Sequence, residues 1–230
     1  MTTRAGGASL PPFDTMNLHA SGGDDPAAIA TNRSRLIEAI GVAPVWLRQV
    51  HGTRVVHLTL ADVDGDAHEA DAAIATQPGV ACAVQVADCM PVLFAAPHGV
   101  GAAHAGWRGL AAGVLEATVD ALCAATGDNA RDLQAWLGPC IGPDRFQVGA
   151  DVLAAFGVDP VRAAECGFRP ERPGKWLADL PRLARERLAA RGIERVHGGT
   201  GCTVSEPSRF FSFRRDRVTG RMAALAWLRA

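Results

Sequence analysis

The sequence lacks any apolar run long enough to cross a membrane. A membrane-spanning helix needs about 20 mostly apolar residues, and the most apolar stretch, 80–96, is interrupted by Gln85 and Asp88. The first fifteen residues also lack the apolar segment that a secretory signal requires. These absences predict a cytoplasmic protein that has no membrane as a partner.

The sequence also lacks a charge excess of either sign. It contains 23 lysines and arginines against 24 aspartates and glutamates, which gives a formal net charge of −1. Proteins that bind nucleic acid or anionic membranes through charge usually carry a basic patch and an overall basic balance. We therefore expect no nucleic-acid partner, and the sequence gives no sign of an obligate protein partner.

The six cysteines are not spaced along the chain in a pattern typical of disulfide-bonded pairs. In a chain of 230 residues this scatter favours reduced thiols in a cytosol over a disulfide framework. Most of these side chains should behave as small buried apolar groups.

The chain has no internal repeat and no low-complexity linker, so we expect a single catalytic domain over 13–230 after a flexible N-terminal arm at 1–12. Helical spacing and caps predict helices at 27–40, 110–125, 149–156 and 180–191. Apolar and β-branched runs predict strands at 45–50, 53–60, 80–86, 91–95, 100–105, 133–137, 195–197 and 203–204, with 221–228 a strand or a helix. Residues 157–175 should form a surface excursion.

Several strands are joined too tightly for crossover helices, which predicts an α/β fold with a mixed sheet and helices on both faces.

Three of the predicted strands end at a side chain that can bind a metal. These side chains are His51, Cys89 and His104, each beside Gly, Asp or Pro. Loops at strand ends gather active-site groups from distant parts of an α/β chain. Two imidazoles and one thiolate suit Zn²⁺ and leave a fourth position open, which is typical of catalytic zinc sites.

Other interpretations of these residues stay open at this point. The spacing is not a compact metal signature, and His57, His68, His98 and His197 are equally able ligands by composition. Cys89 is also a candidate nucleophile with His104 as its base, which would make the protein a metal-free thiol hydrolase or transferase.

Further residues are candidates for binding a substrate. Trp107 and Arg108 stand before a predicted helix, where an aromatic face, a cation and free backbone amides suit a purine and a phosphate. Phe211, Arg214 and Arg215 lie in an aromatic segment that otherwise reads as an edge strand with a solvated arginine pair. Asp88 is a candidate general acid or base, or a group that orients a ligand.

Five motifs occur in an order that resembles one known family. They are Arg48-Gln49-Val50-His51-Gly52, Ala87-Asp88-Cys89-Met90-Pro91-Val92, His104-Ala105-Gly106-Trp107-Arg108-Gly109, Gly138-Pro139-Cys140-Ile141-Gly142 and Phe211-Ser212-Phe213-Arg214-Arg215-Asp216. The chain resembles the laccase-domain family, described first as multicopper polyphenol oxidases and later as purine nucleoside phosphorylases. The likeness extends over about 13–228.

The resemblance implies a three-layer α/β/α single domain with zinc held by His51, Cys89 and His104. It further implies phosphorolysis of adenosine, inosine, guanosine and methylthioadenosine, with adenosine deamination as a side activity. Copper fits less well than zinc, because blue-copper chemistry needs His-rich clusters and the seven histidines are scattered. A second alternative, besides the thiol enzyme, is a non-enzymatic partner protein with a zinc-stabilised fold.

Overall fold

The structure is a computed structural model that describes residues 1–229. Its helices are Pro26–Ile40 (α1), Trp107–Ala112 (α2), Val114–Thr126 (α3), Ala150–Ala155 (α4), Leu180–Ala190 (α5) and Phe213–Asp216 (α6). Its strands are Ala43–Trp46 (β1), Val55–Leu58 (β2), Ala72–Ala75 (β3), Val80–Val86 (β4), Met90–Ala96 (β5), Gly99–Ala105 (β6), Gln134–Leu137 (β7), Gln147–Val148 (β8), Phe168–Arg172 (β9), Lys175–Ala178 (β10), Arg195–Gly198 (β11) and Met222–Trp227 (β12). Among the described helices, none has the length and apolar character that crossing a membrane requires.

The strands form three sheets. The largest has six strands in the order β11-β7-β5-β6-β3-β2, a second has the order β1-β4-β12, and a third has the order β8-β10-β9. The first two combine parallel and antiparallel pairs, because β1 runs parallel to β4 and β12 runs antiparallel to it, and β3 likewise has one neighbour of each kind. The α/β class with mixed sheets in one domain is therefore confirmed.

The two mixed sheets are stacked between helices. On one face of the six-stranded sheet, Leu115 of α3 shares an apolar core with Val92 of β5. On the other face, Val84 of β4 shares a core with Ala73 of β3. Leu36 of α1 covers the outer side of the β1-β4-β12 sheet. The single sheet expected from the sequence is thus divided into two, and the chain passes from one to the other between β4 and β5.

Helix α1 illustrates how local signals fix an element. The Asp25 side chain accepts a hydrogen bond from the Ala27 amide (3.1 Å), and Pro26 occupies the first turn, where its missing N–H costs nothing. Gly41 ends the helix at φ 70°, a left-handed conformation that glycine adopts without a Cβ clash. The helix predicted at 27–40 is confirmed.

Several other predicted elements are corrected by the structure. The helix predicted at 110–125 is two helices, because Gly113 at φ 100° breaks it, and the first strand ends at Trp46. Residues 203–204 lie in a turn, and the predicted surface excursion at 157–175 contains a 3₁₀ helix and the β9–β10 hairpin. Strand β3 was not predicted, since an Ala-rich run of four residues carries little strand signal.

Residues 1–12, for which we predicted a flexible arm, lie against the rest of the protein. The Thr2 amide donates to the Ala223 carbonyl (2.8 Å), and the Arg4 amide donates to the Arg209 carbonyl (2.9 Å). The Arg4 guanidinium also pairs with Asp14 at 3.0 Å. These contacts tie the segment to β12, and its flexibility in solution stays a prediction.

Asn32 should be the main attachment of this segment to α1. Its buried amide donates to the Ser9 hydroxyl (2.9 Å) and accepts from the Ala8 amide (2.7 Å), and it also donates to the Asn17 carbonyl (2.8 Å). We expect Asn32→Ala to lower the free energy of unfolding by about 1–3 kcal/mol, because buried backbone groups lose their partners. Urea denaturation provides the measurement. The control is Ser34→Ala on the exposed side of the same helix, and equal losses in both variants would show that Asn32 has no such role.

Candidate metal centre and its cavity

The three predicted metal ligands lie in three separate parts of the fold, two in loops and one in a strand. His51 lies in the loop between β1 and β2, Cys89 lies between β4 and β5, and His104 is near the end of β6. His51 has φ 63°, and Asp88, just before Cys89, has φ 92°. Non-glycine residues with positive φ are uncommon, and they concentrate at functional sites, where the surrounding structure holds them.

The ligand atoms of these residues meet at one point. Cys89 Sγ and His51 Nε2 are 3.7 Å apart, and all three ligand atoms lie within 4.8 Å of one another. Around a tetrahedral zinc ion, a nitrogen and a sulfur ligand would be about 3.6 Å apart. Across 1–229 this is the one group of three such side chains close enough to hold a metal. Of the other candidates, His57 contacts Thr76, His68 pairs with Asp62 and His98 contacts Asp128, and His197 does not line this cavity.

Asp71, which the sequence analysis missed, organises two of the three ligands. Its fully buried carboxylate lies 2.8 Å from His104 Nδ1, so His104 presents Nε2 to the metal position. The same carboxylate accepts the backbone amides of Val50 (3.1 Å), His51 (2.9 Å) and Gly52 (2.6 Å). A carboxylate that holds the second nitrogen of a histidine ligand is a regular feature of zinc sites.

Gly106 leaves the space that the ligands occupy. A Cβ at this position would lie 2.9 Å from Cys89 Sγ and 2.9 Å from His51 Cδ2. Distances of this kind are too short for non-bonded carbon and sulfur atoms. The donor set, the tautomer of His104 and this space therefore all fit a zinc ion held by His51, Cys89 and His104.

The electrostatics of the site favour a thiolate. Burial alone would raise the pKa of the Cys89 thiol, but the charge of His104 and hydrogen bonds from both histidines lower that pKa to about 6. Burial opposes charge on His104 as well, yet the Cys89 thiolate and Asp71 raise the His104 pKa to about 9. By contrast, burial raises the pKa of the Cys82 thiol to about 12. A low-pKa thiol is the form that binds a metal or attacks an electrophile.

The three ligands line a cavity of about 1040 Å³. Pockets for small molecules commonly have about 300–1,000 Å³, so this cavity is at the upper end of that range. Aromatic side chains line the cavity, namely Trp46, Trp107, Phe146 and Phe213. Six arginines also line it, namely Arg33, Arg48, Arg108, Arg214, Arg217 and Arg221.

Asp88 is the one aspartate or glutamate that lines this cavity, and both of its oxygens are in use. Oδ1 accepts from the Thr203 hydroxyl (2.6 Å) and Oδ2 accepts from the Arg214 amide (2.6 Å). The main chain of Asp88 also accepts from Ile141 at 2.9 Å. These bonds favour an orienting role for Asp88 over proton transfer.

The structure brings some of the predicted substrate residues to the cavity and leaves others outside. Trp107 and Arg108 line it, with the Arg108 guanidinium 4.4 Å from the Trp107 ring centroid. However, α2 begins at Trp107 and has only six residues, so Arg108 lies inside a short helix and not before a long one. The helix amides that we expected to support Arg108 are therefore a weaker feature than predicted.

The segment 210–215 folds differently from the predicted edge strand. It is a loop followed by the one-turn helix α6, and this arrangement puts Phe213 in the cavity wall while Phe211 is fully buried in the core. Arg214 lines the cavity, but Arg215 does not. The Arg215 guanidinium instead donates to the carbonyls of Thr203 (2.7 Å) and Phe210 (3.0 Å), so it holds the loop together.

The chain is similar to known proteins in both sequence and fold. The family profile described as multi-copper polyphenol oxidoreductase laccase matches residues 1–229. A purine nucleoside phosphorylase of Pseudomonas aeruginosa is 50% identical over 230 residues, which cover 99% of this chain and 92% of the relative. The purine nucleoside phosphorylase YfiH of Escherichia coli K12 is 49% identical over 234 residues, with the same coverage. The crystal structure of a Neisseria meningitidis protein superposes with a TM-score of 0.92 at 45% identity, covering 100% of this chain and 93% of that protein.

Substitution of Gly106 tests the space at the metal position. Gly106→Ala should displace Cys89 and His51 and lower the metal content of the purified protein, while the far-UV circular dichroism is unchanged. Gly101→Ala in β6 is the matched control, because its added Cβ would meet its nearest atoms at 3.4 Å, an ordinary contact. Metal analysis by mass spectrometry decides between them. If Gly106→Ala bound as much metal as Gly101→Ala, the position of the site would be wrong.

Substitution of Asp71 tests how the ligands are held. Asp71→Asn keeps an oxygen for the loop amides but removes the charge beside His104, and we expect zinc affinity to fall about 10- to 100-fold. Competition with a chromogenic chelator measures this affinity. Asp128→Asn, which removes the carboxylate beside the exposed His98, should leave zinc affinity as it is. Unchanged affinity in Asp71→Asn would refute the role given to this carboxylate.

Proposed function

The chain belongs to the family described as multi-copper polyphenol oxidoreductase laccase, and from that premise we propose that it is a zinc-dependent purine nucleoside phosphorylase. The substrates would be adenosine, inosine, guanosine and methylthioadenosine, with phosphate as the second substrate and adenosine deamination as a further activity. Support comes from the names of the relatives in P. aeruginosa and E. coli, which are about half identical to this chain over nearly its full length. We further propose that it acts in the cytoplasm.

One observation carries this proposal. The His51, Cys89 and His104 group opens into a large cavity that is lined by six arginines and four aromatic side chains. Aromatic rings provide faces on which a purine can stack, and arginines provide the planar donors that bind phosphate oxygens. Such a lining is unexpected in a chain with a net charge of −1 unless an anion binds there.

Zinc held by His51, Cys89 and His104 would supply a Lewis acid in the wall of the cavity. The chain's own residues would do the rest of the work. Arginines would bind phosphate and compensate its charge as it approaches the sugar, and the ring of Trp107 or Phe213 would hold the base. Asp88, through Thr203 and the Arg214 amide, would keep the Cys89 loop and the arginine segment in register.

The metal-binding residues of this chain fit the copper chemistry in the family's description poorly. A multicopper enzyme needs several sets of ligands, and the part of the chain that the structure describes holds one group of three. Zinc is therefore the metal we propose.

Turnover of a nucleoside panel tests the proposal. Zinc-loaded protein should release free purine base from inosine, adenosine or guanosine only when phosphate is present, and it should convert adenosine to inosine without phosphate. Cys89→Ser should lose both activities, and Cys123→Ser, away from the cavity, should keep them. Zinc binding with no turnover of any nucleoside would contradict the proposal and favour a non-enzymatic partner protein.

The metal-free thiol enzyme is a second candidate, because the Cys89 pKa is lowered to about 6. Activity that survives removal of the metal and is abolished by alkylation of Cys89 would favour it. Activity that is lost with the metal and returns with zinc would exclude it.

The same lowered pKa predicts the pH dependence of alkylation in metal-free protein. Since the Cys89 thiolate forms above about pH 6, iodoacetamide should modify Cys89 rapidly at pH 7 and slowly below pH 5. Cys82, with a pKa raised to about 12, should stay unmodified in both cases. In His104→Asn the lost charge should move the midpoint for Cys89 upward. Mass spectrometry of tryptic peptides follows each thiol separately, and a wild-type midpoint near pH 9 would contradict the assignment.

A further inference from the structure

We propose that Arg221, just before β12, binds the phosphate co-substrate through guanidinium donors that face the cavity. This inference rests on the proposed function and deepens it. Arg221 was not among the sequence candidates, and none of the family comparisons assigns it a role. Arg221 differs from the other arginines of the cavity in its hydrogen bonds, its charge environment and its neighbours.

Arg221 is a half-buried cation that lacks a carboxylate partner within 1–229. Its Nη1 donates to the carbonyls of Thr219 and Gly220, each at 3.0 Å. No described group accepts a hydrogen bond from its Nε or Nη2. Neither atom is among the buried polar atoms that lack a partner, so both are accessible to solvent. Arg221 lines the cavity, so these two donors are free to bind a ligand there. A guanidinium presents Nε and Nη2 as the parallel pair that matches two oxygens of one anion.

The other arginines of the cavity are engaged differently. Arg48 pairs with Glu69 at 2.7 Å, and Arg33 uses Nε and Nη2 on the Leu18 carbonyl. Arg108, Arg214 and Arg217 are exposed, so water screens their charge more effectively. Arg221 thus combines free donors with partial burial, and an anion bound there would interact most strongly.

Arg221 is also close to the proposed reaction centre. Burial lowers the pKa of the Arg221 guanidinium, and the charges of Cys89 and Asp88 act against that lowering. Burial lowers the pKa of His19, which also lines the cavity, and the charge of Arg221 adds to that lowering against the raising effect of the Gln85 hydrogen bond. Arg221 lines the same cavity as His51, Cys89 and His104, and Cys89 packs against the apolar cluster that contains Met222, the next residue, so a phosphate on Arg221 would share the cavity with the metal position.

A second arginine of the cavity lies near the same aromatic ring as Arg221. The guanidinium carbons of Arg217 and Arg221 lie 6.0 and 5.8 Å from the centroid of the Phe213 ring. Arg217 and Arg221 both line the cavity, so the charge of a multiply charged anion bound there would be attracted by both cations. A phosphate dianion has this charge, whereas a neutral nucleoside does not.

The main chain holds Arg221 in place before any ligand binds. Its amide donates to Asn17 Oδ1 at 2.9 Å. A Cβ at the preceding Gly220 would lie 2.8 Å from the Phe211 ring and 2.9 Å from Asn17, so this segment is packed tightly against the core. Fixed donors lower the entropy that binding costs, which suits a site for a small anion.

Steady-state kinetics of Arg221→Gln and Arg221→Lys provide the test. Arg221→Gln should raise the apparent KM for phosphate about 10- to 100-fold, because two charge-assisted hydrogen bonds are lost. The KM for inosine, the zinc content and the phosphate-independent deamination of adenosine should change little. Arg221→Lys should rescue the phosphate KM only in part, since an ammonium lacks the paired donors. Arg131→Gln, on the exposed surface outside the cavity, is the control.

Calorimetric titration with inorganic phosphate separates this inference from the proposed function. Phosphate binding to zinc-loaded wild type that is lost in Arg221→Gln supports the role of Arg221, even if no nucleoside is turned over. A phosphate KM and affinity in both Arg221 variants equal to those of Arg131→Gln would overturn it. Wild-type protein that binds no phosphate would overturn it as well.

Discussion

The carboxylate of Asp71 is the interaction on which the site depends. It is fully buried and accepts the amides of Val50, His51 and Gly52 while it also holds His104. Removing one partner of such a buried network costs several kcal/mol, about 3–5 in typical cases. The bonds to three successive amides stabilise the backbone of His51 at φ 63°, a conformation that is uncommon for residues other than glycine. One side chain thus determines where two of the three ligands lie.

The third ligand depends on the division of the sheet. The chain leaves β4 in one sheet and enters β5 in the other within three residues, and Cys89 lies in this crossing. Asp88 makes the turn at φ 92° and is held by Thr203 and by the Arg214 amide. The same carboxylate therefore joins the ligand loop to the arginine segment after Ser212. The cavity lies where these connections meet, so the metal position and the cations that would bind an anion are built by shared contacts.

The sequence predicted those features that local chemistry determines. Helix α1 carries its cap, its proline and its terminal glycine between Asp25 and Gly41, and the three ligands each stand beside residues typical of strand ends. Asp71 could not be found this way, because its partners are 21 positions before it and 33 after it. Phe211 was misplaced because its aromatic neighbours suggested a strand, whereas the buried core and Arg215 fold the segment into a loop. Arg221 has no local pattern at all, and only the tertiary fold brings it to the cavity.

The central claim is that one metal is bound by two imidazoles and one thiolate, and zinc K-edge X-ray absorption of the purified protein tests it most directly. We predict nitrogen scatterers at about 2.0 Å together with a single sulfur scatterer at about 2.3 Å. The sulfur contribution should disappear in Cys89→Ser protein reloaded with zinc and persist in Cys202→Ser, whose sulfur lies outside the group of ligands. A zinc spectrum with no sulfur scatterer, or one that Cys89→Ser leaves unchanged, would contradict the account.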